Sequence, residues 1–106
     1  MIRVIITRHQ DQIKGIQVKG HSDYSEAGTD IVCASVSALV INTINSIEKF
    51  TDDKMSVKED PDIPLIEASF DNVPSYGAGL LMKSLVNGLE DLSESTEHVK
   101  LSFKEE

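Results

Sequence analysis

The sequence predicts an α+β fold: a two-layer sandwich with two helices on one face of a mostly antiparallel sheet. Five short segments are strand candidates, and those near the two ends of the chain alternate apolar and polar residues, as strands with one buried face do. Two longer segments repeat apolar residues at helical spacing. The segments follow the order β-β-α-β-β-α-β. Since the 106 residues amount to the length of one domain, we expect a single domain over 1–106.

Residues 1–8 and 13–19 flank a polar turn and predict a hairpin. Residues 55–59 and 65–70 are short strand candidates separated by an Asp-Pro-Asp sequence typical of a turn. Residues 99–103 alternate again and predict the last strand.

Two amphipathic segments predict the helices. The first is expected to open at Asp30, with Thr29 or Asp30 as its cap. Its stripe is Cys33, Val36, Val40, Ile44 and Ile47. The second runs over 76–92 with leucines on one face, at Leu81, Leu85, Leu89 and Leu92. Between the first hairpin and the first helix, residues 22–28 are small and acidic without periodicity, which predicts a loop.

Composition excludes several classes of protein. One cysteine permits no intrachain disulfide, so a secreted disulfide scaffold is excluded. A net charge of −8 argues against binding to nucleic acid or to an anionic membrane surface. No segment was expected to approach the roughly 20 apolar residues of a membrane span, and no leader segment is expected. We therefore expect a cytoplasmic protein.

Cys33 and His21 are the candidate chemical groups. A cysteine in the first turn of a helix meets partial positive charge, which favours the nucleophilic thiolate. A histidine 12 residues earlier, at the end of a strand, could fold back to move the proton. Ser37, one turn beyond Cys33, could donate a hydrogen bond to substrate or imidazole.

Structural alternatives stand beside this interpretation. Cys33 begins the apolar stripe, and a buried free cysteine is commonly a small core residue. Carboxylates at Asp23, Glu26 and Asp30 would oppose formation of a thiolate. Asp30 is more often a helix cap, and a histidine such as His21 is more often a surface residue. Spacing alone leaves the choice between nucleophile and core cysteine open.

Two stretches of the chain carry a resemblance to a known family. One reads Gly-His-Ser-Asp-Tyr at 20–24, and the other reads Gly-Thr-Asp-Ile-Val-Cys-Ala-Ser-Val-Ser-Ala-Leu at 28–39. Together they resemble the signature of the ribosomal-processing cysteine proteases. These small bacterial enzymes remove an N-terminal extension from a large-subunit ribosomal protein, the twenty-seventh. The likeness extends over almost the whole chain in length and element order, and serine replaces the more usual alanine at position 22.

The resemblance implies roles for single residues. It implies that His21 is the catalytic histidine and Cys33 the nucleophile. Supporting or substrate-binding positions are implied at Gly20, Asp30 and Ser37. A loop that opens to admit the peptide is implied at Ser22, Asp23, Tyr24 and Gly28. The family further implies a homodimer, a ribosomal-protein N-terminal peptide as substrate, and no cofactor.

Other sites and functions are weaker predictions. His21 and Asp23 form a His-x-Asp pair, but His9 and His98 lack ligand spacing to it, so no metal site is predicted. A redox sensor would need a resolving cysteine. The main alternative is a non-enzymatic acidic module that binds a basic ribosomal or assembly protein, with Cys33 in the core.

Overall fold

The computed structural model describes residues 1–20, 27–60 and 65–106, with only the backbone described for 27–30. The elements are β1 (Ile2–His9), β2 (Gln12–Lys19), α1 (Ala27–Phe50), β3 (Met55–Asp60), β4 (Leu65–Phe70), α2 (Tyr76–Ser95) and β5 (Val99–Glu105). The predicted order β-β-α-β-β-α-β is confirmed.

The five strands form one sheet in the order β3-β4-β2-β1-β5. β1 pairs with β5 in parallel, whereas the pairs β1–β2, β2–β4 and β3–β4 are antiparallel. The prediction of a mostly antiparallel sheet with two helices packed against it is therefore confirmed. The parallel pair follows from chain order, because α2 carries the chain back along the sheet before β5 begins.

Alternate residues of the strands build the core beneath the helices. Val4 pairs with Val18, and both are buried. α1 adds Val36, Val40 and Ile47, and α2 adds a set of buried residues at helical spacing, namely Ala78, Met82, Leu85, Val86 and Leu89. One sheet face and one side of each helix therefore exclude water together, which supplies the main stabilising term for a domain of this size.

The start of α1 differs from the sequence prediction. The helix begins at Ala27, not at Asp30, so Thr29 and Asp30 lie inside it and neither is the cap. Gly28, predicted to belong to the loop, is in the first turn. The small residues ahead of Asp30 include no proline that would stop a helix, although Gly28 costs roughly 1 kcal/mol relative to alanine.

The hydropathy of α1 also corrects an expectation. Residues 31–50 form a 20-residue helical stretch with a mean hydropathy of 1.5, long and apolar enough by composition to cross a membrane. Only 28% of it is buried within the domain. Core helices pass the same test, and Val36, Val40 and Ile47 use one side of α1 for core packing. The exposed large apolar side chains of α1 are Ile31, Ile41 and Phe50.

A hydrogen-bonded junction joins the end of α1 to the starts of β3 and α2. The Thr51 hydroxyl donates to the Ile47 carbonyl at 2.6 Å and accepts from the Asp53 N–H at 3.2 Å. The Asp53 carboxylate accepts from both the backbone N–H and the hydroxyl of Ser75. Ser75 is the N-cap of α2, since its hydroxyl oxygen accepts from the Ala78 N–H at 3.2 Å. The junction ties the segment between α1 and β3 to the start of α2.

Candidate active site

Gly20 ends β2 with a backbone conformation that favours glycine. Its φ is +95°, in the region that residues with a Cβ rarely adopt. A Cβ at this position would also collide with the Met1 carbonyl oxygen. Glycine therefore lets the chain leave the sheet at this point, close beside β1 and immediately before His21.

Cys33 lies on α1 and is half-buried. Its side chain packs against the edge of the hydrophobic core. Because α1 begins at Ala27, Cys33 is in the second turn, and the predicted location in the first turn is wrong. The charge at a helix N-terminus falls off within the first turn, so this effect acts on Cys33 less directly than the sequence suggested. Core contact and partial exposure coexist at this residue.

A cavity brings together the end of β2 and the face of α1 that carries the candidate residues. Its volume is about 460 Å³, and Gly20 and Ser37 both contribute to its wall. Ser37 is half-buried and lies four positions beyond Cys33, the spacing of neighbouring side chains on one helix face. The cavity therefore adjoins the turn of α1 that holds the thiol.

Several predicted site residues fall outside the described part of the chain. His21, Ser22, Asp23 and Tyr24 lie in the segment 21–26, which is not described. Asp30 is placed by its backbone only, in the first turn of α1. The predicted site residues that are described in full are thus Gly20, Cys33 and Ser37.

The same cavity includes residues that the sequence did not single out. These are Val18, Glu59, Asp60, Leu65 and Ile66. The sequence predicts strands at 55–59 and 65–70 with a turn between them, but it singles out no site residue there. Strand register is the missing signal, because β4 aligns Leu65 with Lys19 on one side and with Asp60 on the other. Spacing along one chain could not predict that alignment.

A second, larger recess has none of the described candidate residues in its wall. It measures about 730 Å³ and lies on the sheet face that the helices leave open, where Ile5, Gln17 and Ser69 point. Neither Gly20 nor any described side chain of α1 contributes to it. We place the candidate site at the smaller cavity beside Ser37, because an active site must lie near the nucleophile and a larger cavity volume does not replace that requirement.

No metal centre is evident among the described residues. Within 1–20, 31–60 and 65–106, no three His, Cys, Asp or Glu side chains approach one another closely enough to hold an ion.

Comparison with known proteins identifies the protein family that the sequence matches. The sequence profile of the family described as Cysteine protease Prp matches residues 1–100. The ribosomal processing cysteine protease Prp of Staphylococcus aureus (strain Mu50) is 26% identical over 106 residues, covering 98% of this chain and 100% of that protein.

Two crystal structures share the fold. The S. aureus Prp protease in complex with a covalently linked product peptide superposes with a TM-score of 0.89 at 26% identity, covering 98% of this chain and 100% of that one. A Streptococcus mutans protein superposes with a TM-score of 0.91 at 26% identity, covering 100% and 96%. Since the profile spans nearly the whole sequence, this chain belongs to the Prp family of ribosomal processing cysteine proteases.

Proposed function

We propose that Cys33 is the nucleophile of this protease and that His21 is its general base and acid. The observation that carries the proposal is the cavity where Gly20, the residue before His21, meets Ser37, one turn beyond Cys33. A half-buried thiol at the edge of the core is held in a defined position and is still partly open to a peptide.

The proposed reaction is acyl transfer in two stages. His21 takes the thiol proton, and the Cys33 sulfur attacks the scissile carbonyl carbon to form a tetrahedral intermediate. The intermediate collapses as the C–N bond breaks, and His21 gives its proton to the departing amine. Water, deprotonated by His21, then attacks the thioester and releases the carboxylate product together with the free thiol.

We further propose that the substrate is the N-terminal extension of large-subunit ribosomal protein twenty-seven. The name of the S. aureus relative supports ribosomal processing, and a crystal structure of the S. aureus protease holds a covalently linked product peptide. The charge of −8 suits attraction of a basic ribosomal protein before it assembles with RNA. Action in the cytoplasm, where ribosomal proteins are made, belongs to the same proposal.

Neighbouring residues receive supporting roles. We propose that Gly20, Asp30 and Ser37 shape or support the site, and that Ser22, Asp23 and Tyr24 belong to a segment that opens for the peptide. Gly28 is not part of that proposal, because it lies in α1. Hydrogen exchange tests the opening: amides of 22–26 should exchange fast in the free protein and slowly with peptide bound, whereas uniformly slow exchange would contradict it.

We also propose a homodimer formed through the outward face of α1. The sequence has no charged residue from position 31 to 47, although 26% of the chain is charged. Ile31 is 68% exposed and Ile41 41% exposed on this face. Two copies of an acidic chain repel each other, so an uncharged apolar surface is where they can approach.

Light scattering tests the dimer. Ile31→Glu with Ile41→Glu should halve the measured mass, because each interface would then contain buried, unpaired carboxylates. Leu80→Glu, on exposed α2 surface, is the control and should leave the mass unchanged. A wild-type protein that is monomeric at micromolar concentration would contradict the proposal.

A cleavage assay tests the nucleophile. A peptide that spans the N-terminal extension and the first residues of the mature ribosomal protein should be cut once by wild type. Cys33→Ser should retain peptide binding but lose nearly all turnover, because a hydroxyl is a far weaker nucleophile at neutral pH. Cleavage by Cys33→Ala at the wild-type rate would overturn the assignment.

A further inference from the structure

The helix layer leaves the edge strand β3 uncovered. Phe70 and Ala68 of β4 are buried beneath the helices, yet their partners on β3, Met55 and Val57, are half-buried and 46% exposed respectively. Among the described strands, β3 pairs only with β4, so its outer edge offers free backbone groups. The helix-facing surface of β3 beside α1 is therefore open, and we call the groove there the α1–β3 channel.

Two cavities follow each other along this channel. The cavity of about 460 Å³ lies between Ser37 of α1 and Glu59 of β3. The next, of about 570 Å³, lies further along both elements, between Ile44 and Glu48 of α1 and Val57 of β3. From the first cavity to the second, the residue numbers rise along α1 and fall along β3, as expected for two elements that run antiparallel beside one groove.

The dimensions suit an extended peptide. Eleven residues separate Ser37 from Glu48, and a helix rises about 1.5 Å per residue, so the channel is about 16 Å long. An extended chain advances about 3.3 Å per residue and would place about five residues there.

The charge of the channel identifies the chemistry of the peptide. Among the described residues, the two cavities are lined by five carboxylates and one lysine, namely Glu48, Asp52, Asp53, Glu59, Asp60 and Lys54. Asp53 is held by Ser75, whereas Glu48, Asp52 and Glu59 are exposed. The floor contributes apolar side chains at Ile44, Met55 and Val57. Acidic walls over an apolar floor complement a peptide that alternates apolar and basic residues.

We propose that the α1–β3 channel binds the substrate beyond the scissile bond, as an extended peptide with basic side chains facing Glu48 and Glu59. The inference rests on the proposed function, because it takes the cavity beside Ser37 as the place where the peptide reaches Cys33. It adds a path and a charge preference for the peptide. It also accounts for a channel that core packing does not require.

Peptide binding tests the charge preference without turnover. The Cys33→Ala protein is titrated into two fluorescent peptides of about ten residues, identical except that every lysine in one is glutamine in the other. The lysine peptide should bind more tightly, and the difference should shrink at high salt. In the double variant Glu48→Gln with Glu59→Gln, the affinity for the lysine peptide should fall about fourfold to tenfold, since one exposed ion pair contributes up to about fivefold to an affinity. Affinity for the glutamine peptide should not change.

Matched control variants separate the channel from the total charge. Glu90→Gln with Glu94→Gln removes the same charge from exposed positions on α2 and should leave both affinities unchanged. Val57→Lys places a cation in the channel and should weaken the lysine peptide most, whereas Val73→Lys, at a 68% exposed position outside it, should have no effect. Thermal unfolding of each variant confirms that it is folded.

The outcomes distinguish the two proposals. Equal loss of affinity in the Glu48/Glu59 and Glu90/Glu94 variants would overturn the channel, and so would equal affinity for the two peptides. If wild type cleaves through Cys33 under either result, the proposed function stands alone. If Cys33→Ala still cleaves while binding depends on Glu48 and Glu59, the channel stands and the nucleophile assignment fails.

Discussion

Gly20 is the residue at which backbone geometry makes the firmest demand on sequence. We expect Gly20→Ala to lower the free energy of unfolding by about 1–3 kcal/mol, because alanine is strained at a φ of +95° and its Cβ would meet the Met1 carbonyl. Urea unfolding measures the change. Activity should fall as well, since the chain leads directly into His21.

Gly79→Ala is the matched control. A Cβ at Gly79 would meet no atom within 4 Å, and the residue lies inside α2. Alanine should therefore be neutral or raise the free energy of unfolding by about 0.4–1 kcal/mol. Equal effects of the two substitutions would contradict the role assigned to Gly20.

The functional prediction depended on which residue types occupy particular positions. The spacing of those residues did not predict how they are arranged in the fold. The Gly-His and Asp-Ile-Val-Cys-Ala stretches indicated the family, and the match over residues 1–100 confirms it together with the protease activity. Spacing alone could not choose between nucleophile and core cysteine. Cys33 proves to contact the core while remaining partly exposed, so the two alternatives were not exclusive.

The junction of α1, β3 and α2 makes stability depend on pH at the scale of the elements. Hydrogen bonds from the hydroxyl and then the backbone N–H of Ser75 lower the pKa of Asp53 below its usual value of 3.8. Because the folded state has the lower pKa, the carboxylate stabilises the fold above about pH 4. That contribution is lost as pH falls through the folded pKa.

Asp53→Asn tests this linkage. The variant should have a lower Tm than wild type at pH 7, and the difference should shrink as pH falls from about 4 towards 2, where the wild-type carboxyl is also protonated. Thermal unfolding monitored by circular dichroism across this range measures it. Asp91→Asn, on the exposed surface of α2, is the control. A Tm difference that does not change with pH would contradict the linkage.

Element boundaries were predictable where apolar periodicity was strong and failed where it was absent. β4 matches its prediction at both ends, and α2 begins at Tyr76 as predicted. α1 starts three residues earlier than predicted because Ala27, Gly28 and Thr29 have no apolar pattern, and small residues can extend a helix without one. That extension moved Cys33 from the first turn to the second.

The whole molecule depends on the packing of one sheet face beneath two helices. Leu89 of α2 is fully buried in the core, so Leu89→Ala should reduce the free energy of unfolding by about 2–5 kcal/mol. Leu80→Ala on the same helix, where the side chain is 54% exposed, should cost much less. Chemical denaturation compares them. Similar losses in the two variants would contradict the assignment of the core.

Topology at the scale of the molecule was beyond the sequence. Element order predicted two layers, but not that β4 lies between β2 and β3, or that β5 pairs with β1 in parallel. Those pairings place Glu59 opposite Ser37 and create the channel beside α1. Periodicity along the chain indicates which residues of a strand face the core, but it does not indicate which strands lie side by side.

The most direct test of the central claim is the mass of the enzyme during turnover. Wild-type protein mixed with the extended ribosomal peptide is quenched in acid within the first turnover and measured by intact mass spectrometry. We expect an adduct equal to the N-terminal product minus water, located on Cys33 by peptide mapping and absent from Cys33→Ser when the same peptide is present. Product that accumulates without any adduct, together with cleavage by Cys33→Ala, would contradict the assignment of Cys33 as the nucleophile.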